Sequence, residues 1–162
     1  MTSNFQTQNI FTEEDHNFMR LALEEANKAK ERDEVPIGAV LVQDSSKEII
    51  ASAGNRTREL NDPSAHAEIL CIRKACEKHS AQRIPNTTLY VSLEPCTMCA
   101  AAISFARIKK VIIGADDPKG GGIFHGAKFY EQPTCHWRPE SKQGLLADEC
   151  GQILKDFFKS KR

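Results

Sequence analysis

Two short stretches of the sequence combine residue types that can bind a metal ion and move a proton. His66 and Glu68 stand two residues apart, and Cys96 and Cys99 stand three apart, directly after Pro95. Imidazole nitrogen and thiolate sulfur are ligands that zinc prefers in proteins. Because residues three apart on the first turn of a helix point to the same side, both sulfurs can reach one ion. We therefore predict one zinc ion per chain, held by His66, Cys96 and Cys99.

The number of predicted ligands indicates a catalytic site. A structural zinc site is normally closed by four protein ligands, whereas a catalytic site has three and keeps a position for water. Zinc lowers the pKa of that water to about 7, so that hydroxide is available at neutral pH. Glu68 follows His66 by two residues and would not face the metal from the same side of a helix. We expect Glu68 to take a proton from the water and pass it to a leaving amine.

The predicted secondary structure brings these residues to one edge of a sheet. Helices are predicted over 12–34, 65–79, 97–106 and 145–159, and strands over 37–42, 48–53, 88–93 and 110–114, with a fifth strand around Trp137. The first two strands form a hairpin, and the strand, helix, strand order of the central third favours a parallel crossover covered on both faces. The segment with His66 and Glu68 and the segment with Cys96 and Cys99 each begin a helix at the edge where open α/β sheets bind ligands.

The composition is that of one globular domain without a dominating charge. The chain has 162 residues, and its 22 basic residues balance 22 acidic ones, so no global field indicates a nucleic-acid or membrane partner. The segment 1–12 lacks the apolar region of an export signal, and no stretch approaches the ~18 apolar residues of a membrane span. We expect a single domain over 1–162 in a reducing, cytoplasmic compartment, where clustered cysteines indicate a metal or catalysis. The remaining helical cysteines, Cys71, Cys76 and Cys150, fall on apolar faces and are predicted to be core residues.

The pattern His-x-Glu followed by Pro-Cys-x-x-Cys resembles the signature of zinc-dependent nucleobase deaminases, in which the glutamate carries protons and is not a ligand. At these residues the chain is similar to the cytidine deaminase superfamily. Its flanking segments resemble the bacterial tRNA adenosine deaminases, which convert the wobble adenosine of an anticodon to inosine. These segments are 34–40, 54–56, 62–65, 88–94, 114–119 and 156–158. Every branch shares the zinc pattern, so only the flanking segments favour tRNA.

The resemblance carries expectations about fold, substrate and partners. It implies a three-layer α/β/α fold with a mixed, mostly parallel sheet, a tRNA anticodon loop as substrate, and a homodimer. Asn55 is expected to hydrogen-bond the flipped nucleoside, and Asp117 to lie beside the flanking nucleotides. Each has a plainer alternative, because Asn55 can be a turn residue and Asp117 a turn-forming carboxylate before Pro118.

The segment 121–139 departs from the family's pattern. This neighbourhood shapes the substrate entrance in the family, so a zinc-dependent deaminase of a free base or nucleoside, such as guanine or cytosine, stays an alternative. A third possibility is a non-catalytic zinc module that binds a partner, although the open ligand position and Glu68 argue against it. His125, Cys135 and His136 lie in the segment without a ligand spacing or a fourth partner, and we expect no second metal site there.

Although the net charge is zero, two local runs of basic residues could contact phosphates. They comprise Arg107, Lys109 and Lys110 before a predicted strand, and Lys155, Lys159, Lys161 and Arg162 at the end of the last helix. Either run can meet an RNA backbone, and either can be an ordinary solvated surface.

Overall fold

A computed structural model describes residues 10–162 and contains one five-stranded sheet between two layers of helices. The elements are α1 (Glu13–Glu31), β1 (Gly38–Gln43), β2 (Ile49–Gly54), α2 (Ala67–His79), β3 (Thr87–Leu93), α3 (Thr97–Phe105), β4 (Lys110–Ala115), a short 3-10 helix (Phe129–Glu131), β5 (Glu140–Gln143) and α4 (Ala147–Ser160). The absence of an export signal was expected mainly from residues 1–9, which lie outside the described residues. Within residues 10–162, no helix has the length and apolar character needed to span a membrane.

The first helix begins where the sequence predicts and ends slightly earlier. Thr12 Oγ1 accepts a hydrogen bond from the Asp15 N–H at 3.0 Å, and the Asp15 carboxylate accepts one from the Thr12 N–H at 3.0 Å. This reciprocal pair satisfies two N–H groups that have no partner within the helix. The helix ends at Glu31 because Asp33 takes a left-handed conformation with φ of 62°. The charged run up to Glu34 is therefore part of the connection to β1.

The sheet is mixed, and four of its five strands run in the same direction. The strand order is β2-β1-β3-β4-β5. Strand β1 is antiparallel to both β2 and β3, whereas β3, β4 and β5 are parallel to one another. Only β1 therefore runs against the others, and the predicted hairpin, crossover and mostly parallel sheet are confirmed. The carboxyl ends of β2, β3 and β4 consequently lie at one edge.

The two faces of the sheet carry separate hydrophobic cores, which confirms the predicted three layers. Alternation along β3 places Leu89 and Val91 in the core beneath α2 and α3, and Tyr90 in the core beneath α1 and α4. Cys71 and Cys150 are fully buried, as predicted, and Cys76 is half-buried against the first core.

The predicted fifth strand is present, but it begins at Glu140, three residues after Trp137, and pairs in parallel with β4. Trp137 instead makes tertiary hydrogen bonds. Its Nε1 donates to the Ile108 carbonyl at 2.8 Å, and its carbonyl accepts from Ser104 Oγ at 2.6 Å. The Trp137 carbonyl is directed at Ser104 and not at β4, and Pro139 has no N–H to donate to a ladder. Pairing therefore starts one residue after this proline.

Candidate metal centre

The predicted metal-binding and substrate-binding residues lie at the edge formed by the carboxyl ends of three parallel strands. Asn55 directly follows β2, Glu94 directly follows β3, and Asp117 comes two residues after β4. The helices that leave this edge, α2 and α3, begin with His66 and Cys96 as their N-cap residues. The site thus lies in the crevice outside the strand ends, where open α/β sheets bind ligands.

Three of the predicted residues form a group with the dimensions of a zinc site. His66 Nδ1 lies 3.6 Å from Cys96 Sγ and 3.5 Å from Cys99 Sγ. The three ligand atoms all lie within 4.8 Å of one another. Nitrogen and sulfur ligands of a tetrahedral zinc ion, bound at about 2.0 and 2.3 Å, are separated by about 3.6 Å. The positions of His66, Cys96 and Cys99 therefore fit a zinc ion without rearrangement.

The protonation of these ligands is uneven. Hydrogen bonds from the Cys99 thiol and from His66 lower the pKa of Cys96, which favours its thiolate form. Its hydrogen bond to this thiolate raises the pKa of the His66 imidazole. The hydrogen bond to Cys96, together with burial, raises the pKa of Cys99. A metal ion that binds here must displace protons, as is usual for thiolate and imidazole ligands.

Glu68 lies beside the ligand group but is not one of its members. It sits on the first turn of α2 with only 4% of the residue exposed, and it is not one of the three residues whose ligand atoms cluster. Burial raises the pKa of Glu68, because a carboxylate loses hydration in the interior. A carboxyl group in such surroundings can both accept and return a proton near neutral pH.

Asn55 is buried and joins the β2 end to the ligand-bearing helix. Its Oδ1 accepts a hydrogen bond from the Ala67 N–H at 2.8 Å, and only 5% of the residue is exposed. The side chain thus occupies an N–H at the start of α2, next to His66, as a helix cap does. Its Nδ2 makes no hydrogen bond to any residue of 10–162 and is free to donate. The oxygen has a structural role, and the nitrogen remains available to a ligand.

Asp117 forms the turn that was named as its alternative role. Its Oδ1 accepts hydrogen bonds from the Lys119 N–H at 3.2 Å and the Gly120 N–H at 3.0 Å. Its own N–H donates to Glu94 Oε1 at 3.1 Å. The carboxylate therefore shapes the loop that follows β4, and this loop lies at the same edge as the ligand group.

Glu94 is a residue that the sequence analysis did not single out. It is 2% exposed, and its carboxylate accepts five hydrogen bonds from the loop after β4. Burial alone would raise the pKa of Glu94, but these hydrogen bonds, that of His125 first, lower the pKa overall. A charged residue at the end of an apolar strand, directly before Pro95 and Cys96, was the available signal. The sequence offered no indication of its partners.

The segment 121–139, which departs from the family's pattern, packs against α3. Tyr130 is buried, and its hydroxyl donates to the Ala100 carbonyl at 2.9 Å. His125 Nδ1 lies 2.7 Å from Glu94 Oε1, whereas Cys135 Sγ lies 3.7 Å from Ser104 Oγ. His125 and Cys135 thus have different partners, Glu94 before α3 and Ser104 within it.

Comparison with known proteins agrees with this geometry. Residues 12–115 match the family described as the cytidine and deoxycytidylate deaminase zinc-binding region. The tRNA-specific adenosine deaminase of Agrobacterium fabrum is 60% identical over 145 residues, which cover 90% of this chain and 94% of the relative. That of Haemophilus influenzae is 44% identical over 153 residues, covering 94% and 88%.

Solved structures give the same result for the fold. A structure from studies of A-to-I editing by tRNA deaminases at the wobble position superposes with a TM-score of 0.83 and 59% identity, covering 85% of this chain and 99% of that one. A guanine deaminase from Nitrosomonas europaea superposes with a TM-score of 0.76 over 88% and 83% of the two chains, but at 22% identity this likeness concerns the fold alone. The chain belongs to the cytidine and deoxycytidylate deaminase family of zinc-binding enzymes and is similar over most of its length to the bacterial tRNA-specific adenosine deaminases.

Proposed function

We propose that the chain deaminates adenosine to inosine at the wobble position of a tRNA anticodon, with one zinc ion per chain held by His66, Cys96 and Cys99. The observation that carries the reaction type is the three-ligand group beside the buried carboxyl of Glu68. The substrate is supported by the names of relatives that are 60% and 44% identical over about nine-tenths of the chain. A tRNA substrate in turn favours a cytoplasmic location.

Three protein ligands suit a catalytic ion. A zinc ion in this position supplies a Lewis acid that lowers the pKa of a water molecule to about 7. The residues themselves keep that chemistry separate from bulk solvent, because Cys99 is fully buried and Glu68 nearly so. Water in such a pocket faces few competing hydrogen-bond partners.

Glu68 performs the proton transfers of the reaction. Its carboxylate accepts a proton from the attacking water, whose oxygen forms a bond to C6 of adenine. The same carboxyl then gives that proton to the exocyclic nitrogen as the C6–N bond breaks, so that ammonia leaves. The second proton of the water moves from the C6 oxygen to N1, which leaves the C6 carbonyl of inosine. The raised pKa of Glu68 suits both steps, since the group must accept and donate near neutral pH.

Asn55 and Asp117 are the proposed substrate-binding residues. The free Nδ2 of Asn55 can donate to the flipped nucleoside, while its Oδ1 stays fixed on the Ala67 N–H. This attachment holds the amide plane before the substrate arrives, which reduces the entropy lost on binding. Asp117 positions the loop after β4 beside the nucleotides that flank the target.

A homodimer and an RNA-binding surface complete the proposal. Helix α3, which carries both thiols, exposes Met98 and Phe105, the latter by 68%. Contact with a second copy would cover these two apolar side chains. At the end of α4, Lys155, Lys159 and Arg162 line a groove together with Phe158, and this surface can meet phosphates and bases.

One comparison of substrates tests the proposed function. The purified protein is incubated with a tRNA that has a wobble adenosine and, separately, with free adenosine, guanine and cytosine; inosine and ammonia are quantified. We expect inosine in the tRNA, at a rate that falls as salt rises. Deamination of a free base alone would favour the alternative substrate, and bound zinc without any turnover would favour a non-catalytic module.

A further inference from the structure

The carboxylate of Glu94 holds one continuous loop, residues 117–125, by hydrogen bonds to four of its residues. Its Oε1 accepts from the Asp117 N–H at 3.1 Å and from His125 Nδ1 at 2.7 Å. Its Oε2 accepts from the N–H groups of Ile123, Phe124 and His125 at 3.2, 3.0 and 3.2 Å. A buried carboxylate with this many donors is a stable anion that fixes the backbone around it.

The 117–125 loop lies directly on the turn that carries the ligands. The Gly122 N–H donates to the Pro95 carbonyl at 2.8 Å, and a Cβ at Gly122 would come within 2.5 Å of the Thr97 nitrogen. Pro95 and Thr97 flank Cys96 in the sequence. A Cβ at Gly121 would collide with the Glu94 carboxylate itself. Both glycines therefore permit a close approach that a side chain would prevent.

We propose that Glu94 is a positioning residue, which fixes the 117–125 loop against the Cys96 turn and thereby sets the affinity of the site for its polynucleotide substrate. This proposal rests on the proposed function, because the loop carries Asp117 beside the flanking nucleotides. Glu94 lies outside the ligand group and acts through the backbone of the loop. Its loss should therefore weaken substrate binding more than the chemical step.

Glutamine at position 94 provides a sharp perturbation. It retains the shape of the side chain but only one acceptor oxygen, so its NH2 group must face either Asp117 N–H and His125 Nδ1 or the three N–H groups on Oε2. At least one backbone N–H, that of Asp117, is then left without an acceptor, because His125 Nδ1 can accept from the NH2 group in its other tautomer. We expect Glu94→Gln to raise KM for a tRNA anticodon stem-loop by about tenfold or more, with kcat changed less than about threefold.

Three further measurements separate positioning from general destabilisation. Amide hydrogen exchange should show loss of protection either at Asp117 or over 123–125 in Glu94→Gln, according to which N–H groups the NH2 group faces, while zinc content stays at the wild-type value. Gly121→Ala, which crowds the carboxylate without altering it, should produce the same loss of protection and the same rise in KM. Asp15→Asn, which disturbs a carboxylate on the other face of the sheet, should lower stability but leave KM unchanged.

The outcomes distinguish this proposal from the proposed function. Unchanged protection of both the Asp117 amide and the 123–125 amides in Glu94→Gln, loss of its zinc, or an equal rise of KM in Asp15→Asn would overturn the positioning role. Failure of the wild-type protein to form inosine in any tRNA would overturn the proposed function instead. The exchange and zinc measurements need no turnover, so they test whether Glu94 holds the 117–125 loop even if the protein does not deaminate tRNA.

Discussion

Replacing Glu68 with glutamine tests the proton transfer on which the proposed reaction depends. Glutamine has nearly the same volume, and Glu68 is only 4% exposed, so the change removes the ionisable group without opening a cavity. A positioned general acid and base contributes about 10²–10⁴-fold to a rate. We expect kcat for inosine formation to fall by this factor, which corresponds to about 3–5.5 kcal/mol of activation free energy.

The assay measures inosine in a tRNA anticodon stem-loop under single-turnover conditions, alongside zinc content and thermal unfolding. Zinc content should not change, because Glu68 is outside the ligand group. The unfolding temperature should not fall, because a buried carboxyl is replaced by a neutral amide. Glu77→Gln, an exposed position on the same helix, is the matched control. Retained turnover in Glu68→Gln would refute the proton-carrying role, and loss of zinc would identify Glu68 as a ligand.

Three other perturbations have definite expected results. Asn55→Ala removes the acceptor of the Ala67 N–H and should cost about 1 kcal/mol in urea unfolding; inosine formation should fall as well, and unchanged activity would leave only the capping role. Burial alone would raise the pKa of Asp15, but hydrogen bonds from Tyr90 and Thr12 lower the pKa overall. The Asp15 carboxylate therefore stabilises the fold fully above the unfolded pKa of about 4. This stabilisation is lost as pH falls through the folded pKa. Asp15→Asn should therefore cost about 1 kcal/mol at pH 7 and flatten the loss of stability measured between pH 7 and 2. Removal of zinc with a chelator should abolish turnover and lower the unfolding temperature, and added zinc should restore both; full activity of metal-free protein would contradict the metal's role.

The features that sequence predicts well here are set by neighbouring residues. The start of α1 follows from Thr12 and Asp15, which are three residues apart and cap one another. The two thiols of Cys96 and Cys99 share a side of one helical turn, so their spacing alone brings them together. His66 joins them from 30 residues away. This contact was predicted because both helices begin at one edge of the sheet, and the known motif supported it. Local chemistry thus determined the elements, whereas sheet topology and a known pattern supplied the long-range pairing.

The fifth strand was misplaced because a tertiary contact outweighed local preference. The aromatic and β-branched preference for strands drew the prediction to Trp137. Its indole and carbonyl instead hydrogen-bond Ile108 and Ser104, residues 29 and 33 positions earlier. A side chain whose partners lie that far away in sequence carries no local sign of them. The strand forms at Glu140, where the backbone is free to pair with Lys110.

Glu94 is a site residue whose role the local sequence pattern does not predict, although a feature elsewhere in the sequence indicates it. Its partners lie 23 to 31 residues further along the chain, beyond the crossover helix and the next strand. A carboxylate that ends a buried strand needs several donors, since an unpaired charge in the interior is costly. Backbone N–H groups supply four of the five donors here, and they approach closely where side chains are absent. A glycine run after the neighbouring parallel strand, such as 120–122, is therefore the feature to look for beside a buried acid of this kind.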